Sequence, residues 1–146
     1  MRVTVHPSPS LDAAALALTR ASRLASLLRG SGDALGVPPR AGLAVLLTDD
    51  AELRRLNRLH AGVDEPTDVL AFPGESRVWV GDVAISVERA RAQSPAAPAD
   101  ELRLLAVHGL LHCLGHDHDT SERAALMTEQ TRRLLPAQAV PDLQPH

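Results

Sequence analysis

Apolar residues run without a break over GLAVLLT at 42–48, a strand's length, and this predicts a strand buried on both faces. RVTVH at 2–6 alternates and stops at Pro7 and Pro9, which predicts a short strand. Between them, residues 11–29 are rich in Leu and Ala and end at Gly30, the pattern of one helix with a glycine C-cap. SGDALGVPPR then reads as a loop. Asp49, with Glu52 three residues on, is a capping-box-like start for a helix carrying Leu53, Leu56 and Leu59 on one side. Extended segments follow around 68–72 and over 78–86, where Val83 and Ile85 alternate with Ala84 and Ser86. A short helix is expected at 87–93, a longer one starting after Pro98 and running to about 114, and a last one over 120–135. The tail 136–146 is expected to be loose.

The order β-α-β-α-β-β-α-α-α predicts one α/β (α+β) domain over 1–146, a small mixed sheet packed with helices. The helix ELRLLAVHGLLHCLG leaves almost no polar side, so it is expected at the centre. No apolar run reaches the ~20 residues of a membrane span, so no membrane partner is expected. The N-terminus lacks a continuous apolar stretch of the signal-peptide kind. Cys113 is alone, which suits a reducing compartment, and the chain reads as cytoplasmic. The formal net charge of −3 argues against a protein that coats nucleic acid through bulk charge, though not against a local basic cleft. Every one of the 15 basic residues is arginine, while Asn57, Phe72 and Ile85 are each the sole residue of their type.

The chemistry concentrates in HGLLHCLGHDHD at 108–119. His108 and His112 are four apart and share a helix face. Two imidazoles on a buried helix need partners. Gly115 lets the chain leave the helix through a left-handed turn, which can carry His118 back to the same face. H-x₃-H with a glycine turn and a third histidine has the ligand spacing of the metzincin zinc proteases. Three neutral nitrogens leave the fourth tetrahedral position of one Zn²⁺ open, as in catalytic sites. His116 immediately follows the turn and is harder to aim at the same metal. Cys113 and Met127 read as core residues. The protease motif places its general base directly after the first histidine, and here that position is Gly109. The pattern therefore keeps a catalytic-type metal site without a peptidase base. Glycine costs a helix about 1 kcal/mol against alanine, and two things could require it: room for a bound nucleotide backbone, or a closely packed strand.

HGLLHCLGHDHD resembles the HGxLHLxGYDH signature of the YbeY family of bacterial zinc-dependent endoribonucleases. LNRLHAGVDEPTDVLAFP at 56–73 is similar to that family's LNxxYRGxDxPTDVLSFP, and GDVAIS at 81–86 to its GDIxIS strand. The three sole residues fall on these motifs. The resemblance implies a zincin-like site on the central helix with one zinc held by His108, His112 and His118. It implies single-strand-specific cleavage of rRNA precursors in maturation of the 16S rRNA 3′ end and in ribosome quality control. It also implies the small ribosomal subunit as partner, with a ribosomal protein or an assembly GTPase as further possibilities. Two departures stand out: Ala61 replaces the family's Arg, and His116 its usual Tyr. Catalytic groups stay unassigned, with Asp117, His116 and Arg58 as weak candidates. Arg54, Arg55 and Arg58, with Arg89 and Arg91, are candidates for an RNA-binding groove, against the plain reading of a solvated charged face. Two other functions stay open: a zinc-stabilised, non-catalytic assembly factor, and a zinc hydrolase of another substrate such as a peptide.

Overall fold

The computed structural model describes all 146 residues. Four strands form one sheet: β1 (Arg2–Pro7), β2 (Gly42–Thr48), β3 (Val69–Ser76) and β4 (Trp79–Ser86), in the order β1-β2-β4-β3. β1, β2 and β4 run parallel, and β3 closes one edge antiparallel to β4. Six helices accompany them: α1 (Ala13–Ser22), α2 (Leu24–Ala34), α3 (Asp50–Ala61), α4 (Val87–Gln93), α5 (Pro98–Cys113) and α6 (Ser121–Leu134). The expected mixed α/β architecture is the one observed.

The alternation along the strands sorts the helices by face. Leu43, Val45, Leu47, Val83 and Ile85 join Leu24, Leu28, Leu102, Leu105 and Leu110 in the main core, so this face carries α1, α2 and α5. Each such leucine, fully buried, contributes about 1.5–3 kcal/mol. A second cluster, with Leu104, Val107, Leu111 and Met127, joins α5 to α6. Helix α5 thus packs on both sides, which is why its sequence shows no polar stripe.

Local chemistry sets the helix starts. The Asp49 and Thr120 side chains accept the backbone N–H groups of Glu52 and Arg123, capping α3 and α6. The single helix expected over 11–29 is instead two. The chain breaks at Arg23, the one non-glycine residue with positive φ, at 52°. The break frees the Ser22 carbonyl, and Arg103 of α5 donates to it at 3.0 Å. The second helix runs straight through Gly30. At Gly32 a Cβ would lie 2.9 Å from the Met1 Cβ, so glycine there lets α2 approach the start of β1.

Residues 136–146 form no helix or strand, but they are tied down rather than loose. Val140 is buried against the α5–α6 cluster, and Arg132 donates to its carbonyl at 2.9 Å. The Leu143 N–H donates to the Thr128 hydroxyl at 3.0 Å.

Candidate metal centre

Helix α5 starts with Pro98 in its first turn and acidic Asp100 and Glu101 beside it, both favourable at the positive end of a helix. Its other end carries the histidines. There the Gly115 N–H donates to the His112 carbonyl at 3.0 Å and the His116 N–H to the Leu111 carbonyl at 2.9 Å. These are the two bonds of a Schellman motif, and they require a left-handed residue between them. Gly115 supplies it, with φ 98°. The turn expected from the spacing is therefore formed.

His108 is the most constrained of the set. Its Nε2 is buried and has no hydrogen-bond partner. Burial, reinforced by the neighbouring His112, drives the ring's pKa down to about 4, against a small opposing effect of the Asp68 carboxylate. His112 is lowered too, again chiefly by burial. Both rings are neutral at pH 7, the state in which imidazole binds a metal. The Nε2 of His108 is thus an unshared lone pair or an unpaired N–H in a dry place, costly unless something accepts it.

His118 follows the turn. Its backbone N–H donates to Asp117 Oδ1 at 2.7 Å, which holds the Asp117 carboxyl below the usual range. Its ring lies 5.6 Å from that of His112, centroid to centroid. Two imidazoles sharing one tetrahedral zinc at ~2.1 Å have centroids roughly 5 Å apart. The pair fits that requirement. No three His, Cys, Asp or Glu side chains converge on a common point at ligand distance, however. The turn brings the third histidine beside the second, short of a closed three-donor group.

Gly109 proves to be a packing residue. A Cβ there would lie 2.4 Å from Cγ1 and 2.9 Å from Cγ2 of Val83. Of the two reasons open for this glycine, the closely packed strand is the one realised. β4 lies directly under the helix, and the position aims into the sheet.

A cleft opens between β3 and the end of α5. Val69, Ala71 and Pro73 line one side, His112, His116 and Asp117 the other, and Arg123 of α6 reaches in. Two of the three weak catalytic candidates, His116 and Asp117, therefore belong to this cleft. Arg58 does not. Phe72 and Asp82 are opposite each other on the sheet face turned away from Val83. Phe72 meets His60 of α3 there, ring centroids 4.9 Å apart. Helix α3, with Arg54, Arg55 and Arg58, thus lies across the sheet from α5. Arg54 is paired with Asp64 at 2.8 Å and Arg55 with Glu52 at 2.6 Å. Arg89 and Arg91 pair with Asp50 and Asp12. Arg58 alone of the five forms no ion pair within 4.0 Å.

Sequence reasoning missed Arg123, Asp68 and the tail. The Arg123–Asp119 pair at i, i+4 was a visible signal; nothing pointed to the tail. The sole Asn, Phe and Ile all support the segment that leads into the edge strand. Asn57 donates to the Glu65 carbonyl at 3.1 Å, Phe72 packs on His60, and Ile85 pairs with Val69.

The family described as Endoribonuclease YbeY matches residues 16–138. The chain belongs to the YbeY family. A relative from Moorella thermoacetica named Endoribonuclease YbeY is 40% identical over 131 residues, covering 78% of this chain and 83% of its own. One of that name from Rhodopseudomonas palustris strain BisA53 is 42% identical over 114 residues, covering 70% of this chain and 66% of its own. The chain thus spans only about two thirds of that relative. One from Rhodospirillum rubrum is 37% identical, covering 93% of this chain and 76% of its own. The solution structure of TM1509 from Thermotoga maritima superposes with a TM-score of 0.57 at 20% identity, over 91% of this chain and 90% of that one. At that identity it establishes the shared fold. A YbeY chain with this cleft has its histidine helix, its glycine turn and its antiparallel edge strand all meeting at one place.

Proposed function

We propose that this chain is a metal-dependent endoribonuclease of single-stranded RNA, with one zinc held by His108, His112 and His118. The observation that carries the reading is the buried, partnerless Nε2 of His108, one helical turn from a second neutral imidazole. Membership of the YbeY family, whose relatives are named endoribonucleases, supports RNA as the substrate class. The finer reading is maturation of the 16S rRNA 3′ end and ribosome quality control in the cytoplasm. Its partners are the small ribosomal subunit and a ribosomal protein or assembly GTPase. No helix is long and apolar enough to cross a membrane.

When bound, zinc supplies Lewis acidity toward a phosphoryl oxygen and makes water more acidic. The protein's own groups do the rest. The His108 and His112 rings are kept neutral by burial, ready to donate lone pairs. Asp117 is held ionised by the His118 N–H, which makes it a weak base and a good turn-former. Its role is to shape the loop that presents His118. Arg123, in the cleft, offers positive charge to a phosphate, although Asp119 shares it at 2.9 Å. The edge strand β3 forms the opposite wall.

The test compares wild type and His112→Ala for zinc content and for cleavage of a single-stranded rRNA fragment and its duplex form. Zinc and single-strand cleavage in wild type, and neither in the variant, is the expected result. Equal cleavage by both would assign the activity to a contaminating nuclease. Ala61 favours a second reading, that of a zinc-stabilised, non-catalytic assembly factor. It is exposed at the end of α3 where the family has Arg, and Arg58 one turn earlier faces Asp64 across the sheet from the cleft. Zinc binding without cleavage, unchanged by Ala61→Arg, would favour that reading. Gly109, buried against Val83, leaves no room for a peptidase base and disfavours peptide hydrolysis.

A further inference from the structure

His118 sits in a loop with no helix or strand to fix its ring. The chain's last residues reach it. The Gln144 carbonyl lies 3.2 Å from His118 Nδ1, and the His146 N–H donates to the His118 carbonyl at 2.8 Å. The His146 ring stacks on that of His118, centroids 6.1 Å apart and planes 13° from parallel. His118 therefore lies between His112 on one side and the chain's end on the other.

This segment is itself held to α6. Arg132 donates to the Val140 carbonyl at 2.9 Å and to Asp142 at 2.8 Å. The Leu143 N–H donates to the hydroxyl of buried Thr128, whose own proton goes to the Ala124 carbonyl at 2.9 Å. Val140 packs into the α5–α6 cluster. The strap is thus anchored at three points before it arrives at His118.

A backbone carbonyl can only accept a hydrogen bond. The Gln144 carbonyl therefore selects the tautomer of His118 with its proton on Nδ1, and leaves the Nε2 lone pair free. Metal-bound histidines almost always donate their second ring N–H to such an acceptor, which orients the ring and raises its basicity. We propose that residues 140–146 are a positioning strap for the third metal ligand, with the Gln144 carbonyl fixing the tautomer and direction of the His118 ring. The proposal rests on the three-histidine reading of the site. Holding an otherwise free side chain in advance also removes the entropy cost of ordering it when zinc arrives.

The test has two parts. In the full-length zinc-free protein, ¹⁵N chemical shifts of the His118 ring should show a protonated Nδ1 and an unprotonated Nε2; the opposite tautomer would overturn the assignment. Zinc affinity, by competition with a chromophoric chelator, is then measured for four chains: full-length, His118→Ala, His146→Ala and one ending after Leu143. Loss of the Gln144 carbonyl should weaken binding by about 10–100-fold, while His146→Ala, which keeps that carbonyl, stays close to full-length. A full-length protein that binds no zinc would overturn the three-histidine reading and the strap together. Zinc binding that depends on His118 but is unchanged by the truncation would overturn the strap alone. A loss in His146→Ala as large as in the truncation would assign the effect to the ring instead of the carbonyl. The ¹⁵N measurement needs no variant, so it stands even if the truncated chain folds poorly.

Discussion

Replacing Gly109 by alanine should destabilise the protein, even though alanine is the better helix former. Propensity alone favours alanine by about 1 kcal/mol. The added methyl would meet Val83 Cγ1 at 2.4 Å and Cγ2 at 2.9 Å, whereas ordinary contacts begin near 3.4 Å. Val83 is fully buried on an interior strand of the mixed sheet, and its branched side chain has little rotamer freedom. The helix must then lift from the strand by roughly 1 Å, and overpacking of this kind costs about 1–3 kcal/mol. The net expectation is a loss of up to about 2 kcal/mol, read in urea unfolding. Combining it with Val83→Ala should rescue part of that loss, because the two nearest methyl carbons disappear. The double variant should be more stable than the sum of the single changes by about 1 kcal/mol or more. His108 precedes Gly109 directly, so lifting α5 also displaces a proposed ligand, and on that proposal zinc affinity should fall in Gly109→Ala and recover in the double variant. A Gly109→Ala protein as stable as wild type, with no coupling to Val83, would contradict the close packing of Gly109 on Val83.

Further outcomes follow from the buried groups. His108 has a folded pKa near 4, below the ~6.5 of an unfolded chain, so acid favours unfolding through it. Its contribution is intact above about pH 6.5 and is lost as pH falls toward 4; between about pH 7.5 and 5 the zinc-free protein should lose up to about 2 kcal/mol more than His108→Gln. Parallel pH profiles for the two would contradict this. Burial raises the Cys113 thiol to about 11, so alkylation by iodoacetamide at pH 8 should be far slower than for a free thiol. Labelling of native Cys113 at the rate of the denatured chain would contradict its close packing against Gly81 of β4, where a Cβ would lie 2.6 Å from the Cys113 Sγ. Asp49→Ala should cost about 1 kcal/mol by uncapping α3, read as a lowered urea midpoint; an unchanged midpoint would show that cap to be idle.

The parts of the site legible in the sequence are those decided within a few residues. The i, i+4 histidines and the Gly115 turn are local geometry, and the Asp49 cap is three residues from its partner. The break at Arg23 was not legible, because Arg103, which donates to the freed Ser22 carbonyl, lies 81 residues from Ser22. Leu- and Ala-rich sequence looks the same whether one helix or two result. Gly109 carried two meanings until Val83 was placed beneath it. The arginines of α3 read as candidates for an RNA-binding groove, and only the strand register and the His60–Phe72 contact put the sheet between them and the histidines. The tail has no hydrophobic period to announce it. Its order comes from Arg132 and Thr128 of α6 and from His118 in the loop before that helix.

His108, His112 and His118 are proposed to hold one zinc between them. Titrating zinc into the chelator-stripped protein, with the three single alanine variants alongside, tests it most directly. One equivalent bound by wild type, with strong loss in each of the three variants and little change in His116→Ala, is the result predicted. Equal zinc binding by wild type and all three variants would contradict it.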